Sequence, residues 1–469
     1  MSITIICDRI IITMKTKKII ILLGDIIVLY LSLAITLTIR YREFDLNVFE
    51  NHFVPFSIIY LIWIVIFYIH NLYELDIAKN NIKFSIALVR ALVIGGVISI
   101  VFFYLVPGFI VDSITPKTNL FLNIIIFVVL FYGWRYLFNL IAGSLRPGTN
   151  VAIIGHNPQA IELAKELIKN PQLGYKLKLI IKNNEMIDKT DLPEIKITQG
   201  FKNLREVLQQ EKISIAIVTP EVYKSQDLIQ SLFECIKYKI DFINLPEFYE
   251  NVTQKVPLTA ITEVWFIENI SQEQKQSYET FKRIFDLVFG FIILTISLPF
   301  WPIIALIVKL DSRGKVFYTQ TRVGQGGKPF VMTKFRSMKS DAEKNGPQMT
   351  SQKDNRITKF GNFLRKSRLD EIPQLWNIIK GEMSFVGPRA ERPEFHHELR
   401  EHIPFYQERY LIKPGLSGWA QIKYGYGSSI DDNFEKVQYD LYYIKNRSFI
   451  FDLSIILKTI NIILRGGGR

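Results

Sequence analysis

Cysteine is almost missing from this 469-residue chain: Cys7 and Cys235 are the only two, far apart and in unlike surroundings. That excludes a disulfide framework and a thiolate metal site, and suits reduced, cytosol-facing parts. No small-residue cleavage pattern follows the first apolar run, which is too long for a signal peptide. Acidic residues are in deficit, with 44 Asp and Glu against 57 Lys and Arg, a net charge of +13. Yet 49% of residues are hydrophobic and the mean hydropathy is +0.17, unlike a disordered chain or an ordinary soluble enzyme. A chain both apolar and basic implies an anionic partner: nucleic acid, a membrane surface or a phosphorylated substrate. The length predicts about two or three domains.

Four apolar runs fill residues 1–146, at 19–39, 53–72, 84–106 and 120–141. Each is long enough to cross a bilayer core of about 30 Å. Asp25 is the one charge in the first run; Arg90 and Arg135 lie near run ends, where arginine can snorkel to the interface. Lys15, Lys17 and Lys18, then Lys79, Lys83 and Arg90, then Arg146 flank the runs on one side. The opposite side has Lys117 against Asp112, and Arg40 and Arg42 offset by Glu43, Asp45 and Glu50. The positive-inside rule then places both ends of a four-helix unit in the cytoplasm.

Residues 147–275 alternate strand and helix patterns. Strands are predicted at 150–155, 176–181, 213–218 and 240–244, with helices at 159–169, 201–210 and 225–238. This is the rhythm of a Rossmann-like parallel sheet. Its phosphate turn is eroded, because Asn157 and Ala160 stand where the second and third glycines of the fingerprint belong. Nucleotide binding and a purely structural or regulatory sheet both remain open for this unit.

The chemistry is expected in residues 276–469. From Ser277 onward there are 30 Lys and Arg against 19 Asp and Glu, so +11 of the net +13 sits there. The segment at about 282–310 is apolar, but Ser297, Pro299 and Pro302 interrupt it and both flanks are basic. A plain fifth span should leave one flank depleted of positive charge; a re-entrant helix-break-helix need not, and is preferred. Further on, the cationic run 353–368 leads into Asp370 and Glu371, which open a predicted helix over 370–380 ended by Gly381. Free N–H groups and the dipole at such a helix start favour anions, and nearby arginines would hold a phosphate. Adjacent helical residues point about 100° apart, so one carboxylate can attack a phosphorus while its neighbour serves a metal or a proton. Alternatively the two acids merely cap the helix.

Context decides between these. Residues 333–338 (TKFRSM), 365–377 (RKSRLDEIPQLWN), 381–389 (GEMSFVGPR), 413–421 (KPGLSGWAQ) and 439–446 (YDLYYIKN) resemble the bacterial sugar transferase family, the monotopic polyprenyl-phosphate phosphoglycosyl transferases. Four spans followed by a degenerate Rossmann-like unit look like its large subfamily, so the resemblance covers the whole chain. It implies a membrane α plus α/β fold: a four-helix transmembrane bundle, a Rossmann-like domain, and a monotopic α+β catalytic domain with a re-entrant helix. It implies transfer of a sugar-1-phosphate from a UDP-sugar to undecaprenyl phosphate, with release of UMP and with Mg²⁺, starting exopolysaccharide, capsule or O-antigen assembly. Asp370 falls on the family nucleophile, forming a phosphosugar–aspartyl intermediate, and Glu371 on its partner carboxylate. Either could hold the metal. Arg365 and Arg389 match phosphate contacts, with Lys334, Arg336 and Arg368 as further phosphate or substrate candidates. Ser297 and Pro299 match the break of the re-entrant helix. The implied setting is the bacterial inner membrane with a cytoplasmic catalytic domain, and a homodimer is compatible with the large subfamily. One departure is Ala390, where the family usually has proline.

Weaker features have bland readings. Residues 323–329 (VGQGGKP) look like a hairpin turn, since no G-K-[ST] follows. His396, His397 and His402 sit on a polar helix and read as solvated or locally paired rather than as a metal site. The apolar stretch 449–464 is too short to span, leaving it on the membrane or in the core. A rival reading, a membrane-anchored nucleotide-sugar dehydratase or epimerase, needs an intact glycine turn. Its Tyr-x-x-x-Lys pair could only be Tyr278 and Lys282, at the membrane edge. A second rival is a non-enzymatic anchor for polysaccharide assembly. Nucleic-acid binding has no supporting motif.

Overall fold

The computed structural model describes residues 2–74, 82–105, 116–144, 149–182, 195–200, 203–238, 240–270, 275–342, 354–425, 427 and 429–464. Its contacts divide the chain into two compact units, Met1–Thr253 and Gln254–Arg469.

The first unit opens with four apolar helices, α1 (Ser2–Tyr41), α2 (Leu46–Ile69), α3 (Ile82–Leu105) and α4 (Pro116–Ser144). Each contains a stretch long and apolar enough to cross a membrane, in agreement with the four expected runs. Of the flanking charges, Lys79, Asp112 and Arg146 lie outside the described residues. Trp63, Phe67, Phe127 and Phe131 are buried between the helices. Polar groups inside the bundle find one another, as a lipid surround requires. Asn123 Nδ2 donates to Ser32 Oγ at 2.9 Å, and Trp63 Nε1 to Ser99 Oγ at 2.9 Å. One expectation is corrected here. Arg135 does not snorkel: it is wholly buried, and its Nη2 donates to Asp25 Oδ2 at 2.7 Å. Nine residues separate it from the end of α4. That is about 13 Å of helix, further than its side chain reaches, so a carboxylate on α1 serves instead of water.

The same unit continues into a five-stranded sheet, β1 (Thr149–Ile154), β2 (Tyr175–Lys182), β3 (Lys196–Gln199), β4 (Ile215–Val218) and β5 (Asp241–Asn244), in the order β3-β2-β1-β4-β5. All pairings are parallel. Helices α5 (Pro158–Lys169), α6 (Leu204–Gln210), α7 (Gln226–Cys235) and α8 (Leu245–Thr253) alternate with the strands. Strand β3, whose sequence KITQ has a single apolar residue, escaped the pattern reading. The strand order reverses between β1 and β4, where a Rossmann-type fold opens its ligand crevice. Gly155 turns there with φ +101°, and a Cβ on it would lie 1.9 Å from Thr219 Oγ1. Asn157 caps α5: its side chain accepts from Ala160 N at 2.8 Å and donates to the Glu221 carboxylate at 3.3 Å. The position of the second fingerprint glycine is thus filled by a capping side chain.

The second unit begins earlier than the expected seam at 275. Val256 and Leu258 are buried with Val386, Leu399 and Trp419, and Val256 N donates to Gln438 O at 3.0 Å. The apolar residues of 254–270 find their core there, so that stretch, with α9 (Glu263–Asn269), goes with the second unit.

An apolar segment then forms α10 (Gln276–Ser297) and α11 (Trp301–Asp311), joined by one tight turn at Leu298–Phe300. By length and composition it is a fifth candidate span. Pro299 and Pro302 lack the N–H that would continue the ladder. At the break Ser297 Oγ donates to Leu294 O at 2.9 Å and accepts from Trp301 Nε1 at 3.3 Å. Both halves pack on elements that follow them in the chain. Arg283 donates to the carbonyls of Ile378 and Ile379 at 2.6 Å each, and Ile304 and Val308 bury against Phe335 and Leu364. Phe291, Ile296, Ile303 and Leu306 stay exposed on the other side.

The remaining elements are an antiparallel hairpin β6 (Phe317–Val323) and β7 (Pro329–Phe335), turning where expected, then α12 (Lys359–Ser367) and α13 (Leu375–Lys380). A short parallel pair, β8 (Ser384–Val386) and β9 (Gly415–Ser417), follows with α14 (Pro393–His402) and α15 (Trp419–Lys423), then α16 (Ile430–Asn446) and α17 (Phe449–Leu464). Helix α17 joins the core through Ile455, with Asp452, Lys458 and Asn461 also buried and Ile450 and Leu464 exposed. Asp452 accepts from Tyr278 and Tyr443 at 2.8 and 2.6 Å and pairs with Lys282. The Tyr278–Lys282 pair that a dehydratase would need is therefore engaged in tying α10 to α17. His396 Nδ1 lies 3.2 Å from the Tyr410 hydroxyl, a local pairing as expected.

Candidate active site

Two carboxylates stand side by side because the chain is forced into a tight turn. Helix α12 starts at Thr358, whose side chain accepts from Gly361 N, and stops at Arg368, which adopts left-handed φ +55°. Asp370 and Glu371 follow in a 3₁₀ turn over Leu369–Gln374. The expected α-helix over 370–380 is thereby corrected. Pro373 has no N–H to donate, so regular α-helix begins only at Leu375 and ends, as expected, at Gly381 with φ +88°. In a 3₁₀ turn neighbouring residues diverge by about 120°, so the two carboxylates still face different partners.

Asp370 and Glu371 are 6% and 7% exposed, at the wall of a cavity of about 450 Å³. Glu371 is held by cations from three elements. Lys334 Nζ, on β7, donates to Oε1 at 2.8 Å; Arg368 Nη1 reaches Oε2 at 3.3 Å; Arg389 Nη1 lies 3.8 Å from Oε1. Asp370 makes no comparable ion pair among the described contacts. Their ionisation separates accordingly. Burial pushes the Asp370 pKa up to about 6, with Lys334 opposing and the Glu371 charge adding to the rise. Burial also opposes ionisation of Glu371, but Lys334, Arg389 and Arg368 outweigh it and hold that carboxyl well below the usual range. The cations thus favour the anion of Glu371, while burial raises the proton affinity of its neighbour.

Among the described residues, ten lysines and arginines and three carboxylates line the cavity, which marks it for an anion of more than one charge. Of the expected site residues, Lys334, Arg336, Arg365, Arg368, Asp370, Glu371 and Arg389 all reach it. Arg365 Nε donates to Ser337 Oγ at 3.1 Å. Arg336 lines the wall, but its Nη2 donates to Ser312 O at 2.6 Å, closing the end of α11. Ser297 and Pro299 mark the helix break and are not part of the wall. Sequence reasoning missed Tyr318, Gln320 and Arg322 (alternate positions on β6), and Arg392, Phe395 and Lys436. Strand alternation could have grouped the β6 residues; nothing local signals Lys436.

Residues 277–466 match the family model described as bacterial sugar transferase. Over 186 residues the chain is 37% identical to the exopolysaccharide production protein PSS of Rhizobium leguminosarum bv. phaseoli, covering 38% of this chain and 92% of that one. The chain belongs to the bacterial sugar transferase family. It is also 42% identical over 191 residues to the UDP-N-acetylgalactosamine-undecaprenyl-phosphate N-acetylgalactosaminephosphotransferase of Aeromonas hydrophila, covering 41% of this chain and 45% of the relative. This sugar transferase thus matches less than half the length of that protein. A longer similarity, 29% over 320 residues, covers 66% of the chain and 65% of the UDP-glucose:undecaprenyl-phosphate glucose-1-phosphate transferase of Xanthomonas campestris pv. campestris. That length exceeds the second unit, so the likeness extends beyond the family match.

Proposed function

We propose that the protein transfers a sugar-1-phosphate from a UDP-sugar to undecaprenyl phosphate, the initiating step of exopolysaccharide, capsule or O-antigen synthesis. The observation that carries this reading is a buried Asp370 beside a buried Glu371 that Lys334, Arg368 and Arg389 hold in place, in a cation-lined cavity. The family match and the names of the relatives supply the substrate class. In the first step an Asp370 oxygen attacks the β-phosphorus of the donor, the bond from that phosphorus to the bridging oxygen breaks, and UMP leaves. In the second, an oxygen of the lipid phosphate attacks the same phosphorus and breaks its bond to Asp370, so each displacement is met by an equivalent release. Arg389, Arg365 and Arg368 offset the diphosphate and acceptor charges that would otherwise repel the carboxylate.

Mg²⁺ fits this donor set. The ion takes one or two protein carboxylates plus substrate phosphates, and Asp370 and Glu371 offer that number. Among the described residues no group of three or more His, Cys, Asp or Glu side chains could cage an ion by itself. Bound there by Asp370, Glu371 or both, Mg²⁺ would neutralise diphosphate charge.

Both halves of α10–α11 are fastened to the second unit, at Arg283 and at Val308. That supports a segment which dips into the bilayer and returns, leaving the active site on the cytoplasmic face where UDP-sugars are. A cysteine placed beside Asp370 should react only with reagents on the cytoplasmic side; labelling from outside restores a fifth span.

The reaction is tested with membranes carrying the full chain, undecaprenyl phosphate and a panel of radiolabelled UDP-sugars. UMP release and labelled lipid are expected with at least one donor, and chelation of divalent cations should stop both until Mg²⁺ is restored. Labelled water-soluble sugar without lipid product would sink the assignment. The pH profile provides a second check. Asp370 must be ionised to attack, so kcat/KM should fall about tenfold per unit below pH about 6 and lie flat just above it. Lys334→Met removes the largest influence holding that proton affinity down, so its acid limb should move to higher pH. A limb that stays in place contradicts Asp370 as the titrating group.

A further inference from the structure

The loop that carries Arg389 into the cavity has almost no regular structure of its own. It runs from the end of β8 to the start of α14, yet its carbonyls are held one after another. Arg409 Nη2 donates to the Arg389 carbonyl at 3.1 Å. Arg322 Nη1 donates to the Ala390 carbonyl at 3.1 Å. Val323 N donates to the Glu391 carbonyl at 2.9 Å. Successive carbonyls therefore have fixed donors just where the side chains of Arg389 and Arg392 must be aimed.

Arg409 is the unusual member of this set. It is 4% exposed and does not line the cavity, so it has no evident route to substrate. Both of its terminal nitrogens are engaged in other directions as well, while Nε has no partner among the described residues. The same Nη2 donates to Asp440 Oδ2 at 2.8 Å, and Nη1 donates to the Tyr406 hydroxyl at 3.0 Å. Glu391 Oε1 lies 3.9 Å from Nη1. Asp440, on α16, is only 1% exposed. A buried ion pair is a poor device for stability, because desolvation offsets much of its attraction. It is a good device for holding one geometry, and here the geometry held is the main-chain carbonyl of Arg389, a residue of the cavity wall.

We propose that Arg409, anchored on Asp440, is a positioning residue that holds the 389–391 loop so that the Arg389 guanidinium stays beside Glu371 and meets the donor diphosphate. Arg322 completes the hold from the cavity side.

The inference rests on the sugar-1-phosphate transfer reading, and its test has one arm independent of turnover. Arg409→Lys keeps a cation for Asp440 but lacks the planar fork that also reaches the Arg389 carbonyl. In membranes carrying the full chain, brief trypsin treatment followed by mass spectrometry measures cleavage between Arg389 and Ala390. Wild type should resist, and Arg409→Lys should be cut there about tenfold faster, with other sites unchanged. In the turnover arm, Arg409→Lys should raise the donor KM about tenfold with kcat within about twofold. Arg409→Lys combined with Arg389→Gln should be no worse than Arg389→Gln alone, because Arg409 acts through Arg389. Unchanged cleavage at Arg389, an unchanged KM, or losses that multiply in the double variant would each overturn the proposal. Should Arg409→Lys fail to accumulate, Tyr406→Phe removes one acceptor of the Arg409 guanidinium and is read the same way, with about threefold effects. Absence of UMP release by wild type would reject the transfer reading, while the cleavage arm still decides whether Arg409 holds the loop.

Discussion

Asp370→Asn is expected to abolish sugar-1-phosphate transfer, by at least about 10³-fold, while leaving the protein folded in the membrane. The amide keeps the shape of the side chain but cannot supply an anionic oxygen to phosphorus, so the covalent route closes. Folding should survive because, among the described residues, Asp370 makes no ion pair that the substitution would break; its burial even disfavours the charge it carries. Glu371→Gln should behave differently. It removes the anion around which Lys334, Arg368 and Arg389 are gathered, leaving three cations facing one another. Loss of turnover there should come with a lowered thermal midpoint, whereas Asp370→Asn should leave that midpoint in place or raise it. A phosphosugar adduct trapped on the 365–377 segment of wild type, and missing in Asp370→Asn, would identify the nucleophile directly. Turnover of the variant within tenfold of wild type would remove Asp370 from that role.

Much of this site could be read from the sequence because its parts lie close along the chain. Arg365, Arg368, Asp370 and Glu371 fall within two turns, and Lys334 and Arg389 sit in short motifs on either side. The four apolar runs were equally plain, since a hydrophobic stretch of that length has few other uses. What stayed hidden depends on separation or on local competition. Pro373 displaced the start of α13, although the hydrophobic spacing of Leu375 and Ile378 held. Lys436 reaches the cavity from α16, and no local pattern marks a lysine that will end at that wall. Arg336 carried the right charge in the right motif, yet a nearby helix end claims part of its guanidinium. Helix α17 was ambiguous because its buried positions include Asp452, Lys458 and Asn461, which reverses the usual inside and outside. A carboxylate there is tolerable only because Tyr278, Tyr443 and Lys282 meet it from other elements, and none of those is a sequence neighbour.

The same reasoning gives the largest expected effect on stability, among the apolar helices of the first unit. Asp25→Leu alone should destabilise the protein by about 3–5 kcal/mol, seen as loss of folded protein from membranes and a lowered midpoint in detergent. Asp25 is the counter-ion of Arg135 at 2.7 Å, and both side chains are wholly buried. The guanidinium also stands 4.8 Å from the centre of the Phe131 ring and 5.8 Å from that of Phe84, surroundings that do not replace a lost carboxylate. Neighbouring residues dock the same two helices: a Cβ on Gly24 would fall 2.0 Å from the Trp134 ring, so α1 has no side chain where that ring lies. Removing one charge therefore strands the other in a wholly buried position that water does not reach. Replacing both, as Asp25→Leu with Arg135→Leu, should recover most of the loss, because an apolar pair incurs no desolvation cost. If the double variant were as unstable as Asp25→Leu, the deficit would lie in packing rather than in an unpaired charge. If Asp25→Leu were neutral, Arg135 would have found water, and the pair would not be the lock that joins α1 to α4.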